Sequence, residues 1–283
     1  MKMRIQLSKE MGQIYVMDKY YITNKREFEG EAGHETLLEK LIPKMPVFQL
    51  KALAIDVGAN KGNEWPKLQQ ILCEPNSRIL AFEPNPVNHP ILESRQMDNV
   101  DFFPFAVSNV ETQAPIYCWR DTPDNKPGYS LAGLRAGGPK ICDVDVRTLD
   151  SVLKEYPDDE YVIKYLKIDT EGNDTLVLEG CRKNLHRVHY IIFEASDCLD
   201  DFRGPARKDP LKSCIDMLDA EGFDVYRLGT KRLLKLNGDG WAPIYETKKF
   251  WSNCFALKKS DAVIRELIDE NGFYHSNDVM HIV

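Results

Sequence analysis

The 283-residue sequence lacks several features that would each have pointed to a function class. It has no Cys-x-x-Cys pair. Its seven cysteines (Cys73, Cys118, Cys142, Cys181, Cys198, Cys214 and Cys254) are odd in number and widely spaced. That pattern reads against a disulfide frame or a zinc site and predicts reduced thiols in a cytoplasmic chain. No apolar run approaches the ~18 residues of a membrane span. The first ten residues carry charges and no apolar core, so no signal peptide is evident. Basic pairs (Lys231-Arg232, Lys248-Lys249, Lys258-Lys259) are scattered, and the formal net charge is −7. An acidic chain without a basic stripe argues against nucleic acid or an anionic membrane as its main partner. There is no histidine-rich tract; His186 and His189 read as ordinary core or surface residues. Repeats and low-complexity tracts are absent.

A Gly-x-Gly-x-x-Gly turn is missing too. In its place stands Leu53-Ala54-Ile55-Asp56-Val57-Gly58-Ala59-Asn60-Lys61-Gly62. A short apolar run ending in glycines predicts a buried parallel strand that meets a tight loop. Trp65, Leu68, Ile71 and Leu72 then share one helical face. A second strand, residues 78–82, ends at Glu83-Pro84-Asn85, because proline has no ladder donor. An acid at that tip accepts hydrogen bonds from both hydroxyls of a ribose. A pyrophosphate needs backbone N–H groups crowded by glycines at a helix N-terminus, and an acid at position 56 disfavours it. S-adenosylmethionine (SAM), with a sulfonium and an ammonium and no phosphate, suits the pattern better. The same residues leave a nicotinamide dehydrogenase as a weaker reading, and an ordinary strand–turn–helix as the plain one.

The length suits one large α/β domain or two small ones. A content of 43% hydrophobic and 29% charged residues can bury a sizeable core. Further strands are predicted near 100–107, 143–146, 161–168 and 188–193. Pro104 demands an edge position or a bulge in the first of these. Late strands at 223–228 and 250–257 read as an antiparallel hairpin at one edge. Helices follow Thr148, a predicted N-cap, follow Asn173, and run through Leu211 to Leu218 with Gly222 closing the last. The fold class is α/β, a mostly parallel doubly wound sheet with an antiparallel edge strand. Residues 1–48, with a short strand near 13–17 and a helix near 35–41, read as a cap packed on the core, too short to fold alone. Residues 49–260 form the domain, and 261–283 a short helix and tail. Residues 120–140, rich in Pro and Gly, form a long irregular stretch. Tyr129-Ser130-Leu131 at its centre either touches a substrate or belongs to a plain excursion.

These residues resemble the FkbM family of SAM-dependent methyltransferases. The resemblance rests on Asp56-Val57-Gly58-Ala59-Asn60-Lys61-Gly62, Phe82-Glu83-Pro84-Asn85-Pro86, Thr148-Leu149-Asp150, Leu166-Lys167-Ile168-Asp169-Thr170-Glu171-Gly172 and Val177-Leu178-Glu179-Gly180, in that order. It covers roughly residues 50–260. It implies a Rossmann-like methyltransferase fold with a reversed seventh strand, and O-methylation, commonly of a sugar or polyketide hydroxyl. One departure is Asp174, where the family usually carries Glu; the shorter acid has less reach.

Methyl transfer to oxygen needs in-line placement, with the acceptor about 3–3.5 Å from the methyl carbon, and a base for the hydroxyl proton. Candidate catalytic residues are Lys167, Asp169, Glu171 and Glu194, at the ends of two strands; Glu171 or Asp169 is favoured as base. The plainer readings are a helix cap for Asp169, an ion-pair partner for Lys167 and a salt-bridged strand end for Glu194. Candidate cofactor contacts are Asp56, Gly58, Ala59, Asn60, Glu83, Asn85, Val107 and Asp169. A divalent cation, if one takes part, would sit on Asp169, Glu171 and Glu194. Trp241, Tyr245 and Trp251 either stack on sugar faces or simply pack. The acceptor is expected to be a small molecule or glycan. A SAM-binding module without catalysis is the alternative from another class.

Overall fold

The computed structural model describes residues 34–95, 97–118, 129–130, 140–194, 210–229, 233–241, 245 and 252–261. The short strand near 13–17, Leu131, Trp251 and the terminal helix and tail lie outside these residues. The strands in chain order are β1 (Lys51–Val57), β2 (Arg78–Phe82), β3 (Val100–Phe103), β4 (Ala106–Val107), β5 (Thr112–Cys118), β6 (Tyr129–Ser130) and β7 (Lys140–Arg147). They continue with β8 (Tyr161–Ile168), β9 (Val188–Glu194), β10 (Phe223–Leu228), β11 (Leu233–Lys235) and β12 (Asn253–Lys258). The α-helices are α1 (His34–Leu41), α2 (Trp65–Ile71), α3 (His89–Ser94), α4 (Leu149–Val152), α5 (Asp174–Glu179) and α6 (Pro210–Ala220).

Eight strands form one sheet in the order β11-β10-β12-β9-β8-β1-β2-β3. The strands from β9 to β3 pair in parallel. β1 and β8 are buried along nearly their whole length, as strands covered on both faces must be. The order turns back on either side of β1 and β8, so the carboxyl ends of β1, β2 and β8 open onto a shared crevice. Such switch points are where doubly wound sheets bind ligands. β12 runs antiparallel to both β9 and β10; it is the reversed strand the resemblance implied.

Two elements differ in detail from the sequence reading. The strand expected over 100–107 is two strands. Pro104 has no N–H to donate, so β3 stops at Phe103 on the edge of the large sheet. β4 then pairs in parallel with β7 in a separate four-stranded sheet, order β4-β7-β5-β6. The late strands β10 and β12 do pair antiparallel, but the antiparallel edge belongs to β11, which pairs on the far side of β10. A turn-linked pattern cannot reveal that β12 threads between β9 and β10.

The two faces of the sheet carry separate apolar clusters. One holds Leu53, Ile55, Leu166, Ile191 and Ile215 with α5 and α6. The other holds Ala52, Ala54, Trp65, Leu68 and Tyr190, with Leu37, Leu38 and Leu41 of α1. Thr148 caps α4 as predicted, its hydroxyl accepting from the Ser151 N–H. Among the described residues Cys73, Cys142, Cys181, Cys214 and Cys254 are free thiols, and no helix is long and apolar enough to cross a membrane.

Candidate active site

The crevice is a cleft of about 630 Å³, open to solvent. Its floor begins where β1 runs into Gly58. Gly58 has φ +82°, and a Cβ there would fall 1.9 Å from the Asp169 carbonyl oxygen, so the position admits glycine alone. The loop spends its amides on the protein. Gly58 and Ala59 both donate to the Phe82 carbonyl (3.0 and 2.9 Å), and Gly62 donates to Ala59 (2.8 Å). Asn60, at φ +51°, donates its N–H to Glu83 Oε2 at 2.8 Å. An anion site at a loop or helix start depends on amides that are still open. This loop has four fewer to offer.

Glu83 ends β2 and is nearly buried. Its other oxygen, Oε1, accepts from the Asn85 N–H at 2.9 Å. Each oxygen therefore holds one backbone donor and keeps a lone pair. Burial pushes the carboxyl up to about 7, against the pull of the Asn85 and Asn60 amides. Asn88 Nδ2 donates to Asn60 Oδ1 at 3.2 Å and steadies the same corner.

Beneath the cleft lies an acid–base–acid row. Asp56 is fully buried, and Lys167 Nζ stands 3.2 Å from its Oδ1, 3.6 Å from Asp169 Oδ2 and 3.4 Å from the Gly58 carbonyl. Burial alone would lower the Lys167 pKa, but the two carboxylates outweigh it and hold the ammonium above the ordinary lysine value. Lys167 is thus held protonated beside Asp56, whose own carboxyl burial pushes upward against the pull of Lys167. Asp169, whose side chain is 49% exposed, is the member of the row that lines the cleft.

The turn after β8 forms the opposite wall. Glu171 sits at φ +57°, an uncommon backbone state for a non-glycine residue. Asp174, buried at the start of α5, anchors this turn. Its Oδ2 accepts from the Thr170 hydroxyl at 2.6 Å and amide at 3.3 Å, while Oδ1 accepts from the Glu194 N–H at 2.8 Å. The shorter acid therefore reaches across from β8 to β9. Asn173 Nδ2 donates to the Val107 carbonyl at 2.9 Å and ties in β4.

The sequence model of the Methyltransferase FkbM domain matches residues 56–273. The chain belongs to the FkbM methyltransferase family. Methyltransferase sdnD of Sordaria araneosa is 29% identical over 202 residues, 61% of this chain and 74% of that protein. A solved FkbM methyltransferase from Methylobacillus flagellatus KT is 16% identical with a TM-score of 0.42, covering 75% of this chain and 45% of the other. This chain thus spans less than half of that protein's length. An O-methyltransferase from Bacillus cereus in complex with SAH is 10% identical with a TM-score of 0.42, covering 88% and 91%.

In this FkbM methyltransferase the cleft brings together Gly58, Asn60, Glu83, Val107, Asp169 and Glu171 from the predicted residues. The others stand behind it. Asp56 and Lys167 pair below the floor, so Asp56 faces a buried lysine and does not line the cleft. Lys167, held protonated, is an ion-pair partner. Ala59 is buried in the apolar cluster beside Trp65. Asn85 is fully buried and serves the site through its backbone amide and Glu83. Glu194 is buried at the end of β9 and does not line the cleft. Among the described residues no group of three or more His, Cys, Asp or Glu side chains could hold a metal ion, so Asp169, Glu171 and Glu194 form no shared cation site. Tyr245 is buried against Trp241 in an edge-on contact, which fits packing. Sequence reading missed Phe105, Asn88, Thr170 and Asn173 in the lining. Asn88 and Asn173 were detectable in principle, as polar residues beside a strand-end motif and before a helix.

Proposed function

We propose that this chain transfers the methyl group of S-adenosylmethionine to a hydroxyl oxygen of a sugar or glycan. The observation that carries this reading is the cleft floor. The amides of Gly58, Ala59, Asn60 and Gly62 are engaged with Phe82, Glu83 and Ala59, so four fewer are left to gather a pyrophosphate. Glu83 meanwhile keeps lone pairs for two ribose hydroxyls. Gly58, Asn60 and Val107 would line the nucleoside, and Asp169 supplies the negative charge a sulfonium or ammonium favours. When bound, the cofactor supplies a methyl carbon on a positive sulfur. The chain contributes placement and proton removal. One of the two carboxylates on the cleft wall, Asp169 or Glu171, takes the hydroxyl proton. The formal charge of −7 supports a small molecule or glycan over a nucleic acid as acceptor. We read residues 1–48 as a cap, 49–260 as the catalytic domain and 261–283 as a helix and tail; the burial of Leu37, Leu38 and Leu41 supports the first.

Calorimetry with SAM and with NAD tests the cofactor: SAM binds and NAD does not. Glu83→Ala weakens SAM by about tenfold or more, the size of a lost charge-assisted hydrogen bond. A Glu83→Ala protein that binds SAM as well as the parent removes the ribose assignment. A screen of saccharides with labelled methyl donor, with and without EDTA, tests the acceptor and separates carboxylate catalysis from a cation-assisted one.

A further inference from the structure

Phe105 also lines a second, solvent-open hollow, about 870 Å³ with its open mouth included. Phe105 lines both spaces, and Phe103 stands beside it at a ring separation of 5.6 Å. The Arg147 guanidinium stacks over Phe105, 4.7 Å from its centroid. Stacking uses the flat face of the guanidinium and leaves its N–H edges open. No described residue accepts from them or pairs with Arg147, and the same holds for the Lys154 ammonium in the same wall. Glu111 and Glu155 complete the rim, both exposed. Ser151 donates its hydroxyl proton to the Thr148 carbonyl at 2.9 Å, and Tyr156 donates its own to Asp101 at 2.9 Å, so both oxygens are left as acceptors.

The hollow therefore combines an aromatic wall, two cations with no hydrogen-bond or ion-pair partner among the described residues, two carboxylates and two acceptor hydroxyls. Each matches a different part of one ligand class. The cations take a carboxylate or phosphate, the Arg147 edge doing so with two parallel bonds. The carboxylates and hydroxyls accept from a run of ligand hydroxyls, and the partly exposed rings of Phe103 and Tyr156 offer apolar surface to the C–H face of a saccharide. We propose that this hollow is a second ligand site, for a charged saccharide bearing a phosphate or carboxylate. It is separate from the donor cleft and shares with it only the Phe105 wall, and it does not depend on the reading of the donor cleft.

The test is binding to the whole chain, followed by calorimetry with glucose 6-phosphate, glucuronate, glucose and inorganic phosphate. Either charged sugar binds at least about tenfold more tightly than glucose or phosphate alone. Arg147→Gln weakens that binding about tenfold or more. Lys154→Gln, at a separate exposed position, repeats the effect more weakly, because a lone ammonium makes no bidentate contact. Both side chains are exposed, so the variants keep the parent's melting temperature. No saturable binding of either charged sugar up to about 10 mM, glucose binding as well as they do, or binding that both variants leave intact overturns the proposal. No methyl donor is needed, so the outcome stands apart from that of the SAM experiments.

Discussion

One carboxylate, Glu83, sets how the cleft responds to pH. Burial raises it from 4.5 to about 7. The folded chain then binds this proton more tightly than the unfolded one, so stability falls as pH rises from about 4.5 to 7 and levels off above. The fall is about 3 kcal/mol, read from urea midpoints at pH 5 and 8; Glu83→Gln flattens it. The proposed ribose contact gives cofactor binding the opposite sign, since hydroxyls donating to Glu83 favour its ionised form. SAM affinity rises about tenfold between pH 6 and 8, and a flat profile would detach Glu83 from the ribose. Gly58 makes a simpler prediction. Gly58→Ala places a methyl group on the Asp169 carbonyl at a positive φ and costs at least about 3 kcal/mol in urea unfolding. Both residues were legible in the sequence, since strand-end acids and tight glycines are local signals. The role of Asp56 was not. Whether an acid faces a ligand or a buried lysine depends on Lys167, which arrives from a strand far along the chain.

At the level of elements, the walls of the cleft are strand ends held together by side chains from their neighbours. Asp174 is the clearest case, bonded to the Thr170 turn on one oxygen and to the end of β9 on the other. Asp174→Asn sets an amide N–H against one of those donors. It costs about 1–3 kcal/mol, seen as a lower urea midpoint. Because the turn carries the two proposed bases, Asp169 and Glu171, methyl transfer is expected to fall further than SAM binding does. Equal losses in the two would mean that Asp174 only stabilises. Gly180 shows why a second motif reads as it does: a Cβ there would lie 2.1 Å from the Ser108 carbonyl, where the end of α5 meets the segment after β4. The strands β1, β2 and β8 were readable because parallel, doubly buried strands make continuous apolar runs. The break at Pro104 was half readable: proline announces a disrupted ladder without saying that the chain leaves for another sheet. The insertion of β12 was hidden from local patterning, because strand order is a property of long-range pairing.

At the scale of the whole molecule, the sheet needs both faces covered. The α5–α6 face lies within the family-matched stretch of residues 56–273. The opposite face draws on α1, which precedes that stretch: Leu37, Leu38 and Leu41 are each no more than 1% exposed, packed into the cluster with Ala52, Ala54 and Trp65. Three buried leucines are worth about 5–9 kcal/mol together, against about 5–15 kcal/mol for the stability of an entire domain. α1 therefore belongs to the fold even though its own sequence carries no motif. A chain that starts at residue 46 exposes that apolar face, binds a hydrophobic dye and aggregates, while the full chain does neither. Leu41→Ala alone costs about 2–5 kcal/mol, measured as a lower urea midpoint. A shortened chain that unfolds at the parent's midpoint would show that α1 only rests on the sheet, and the boundary of the folded unit would then move to the first residues of β1.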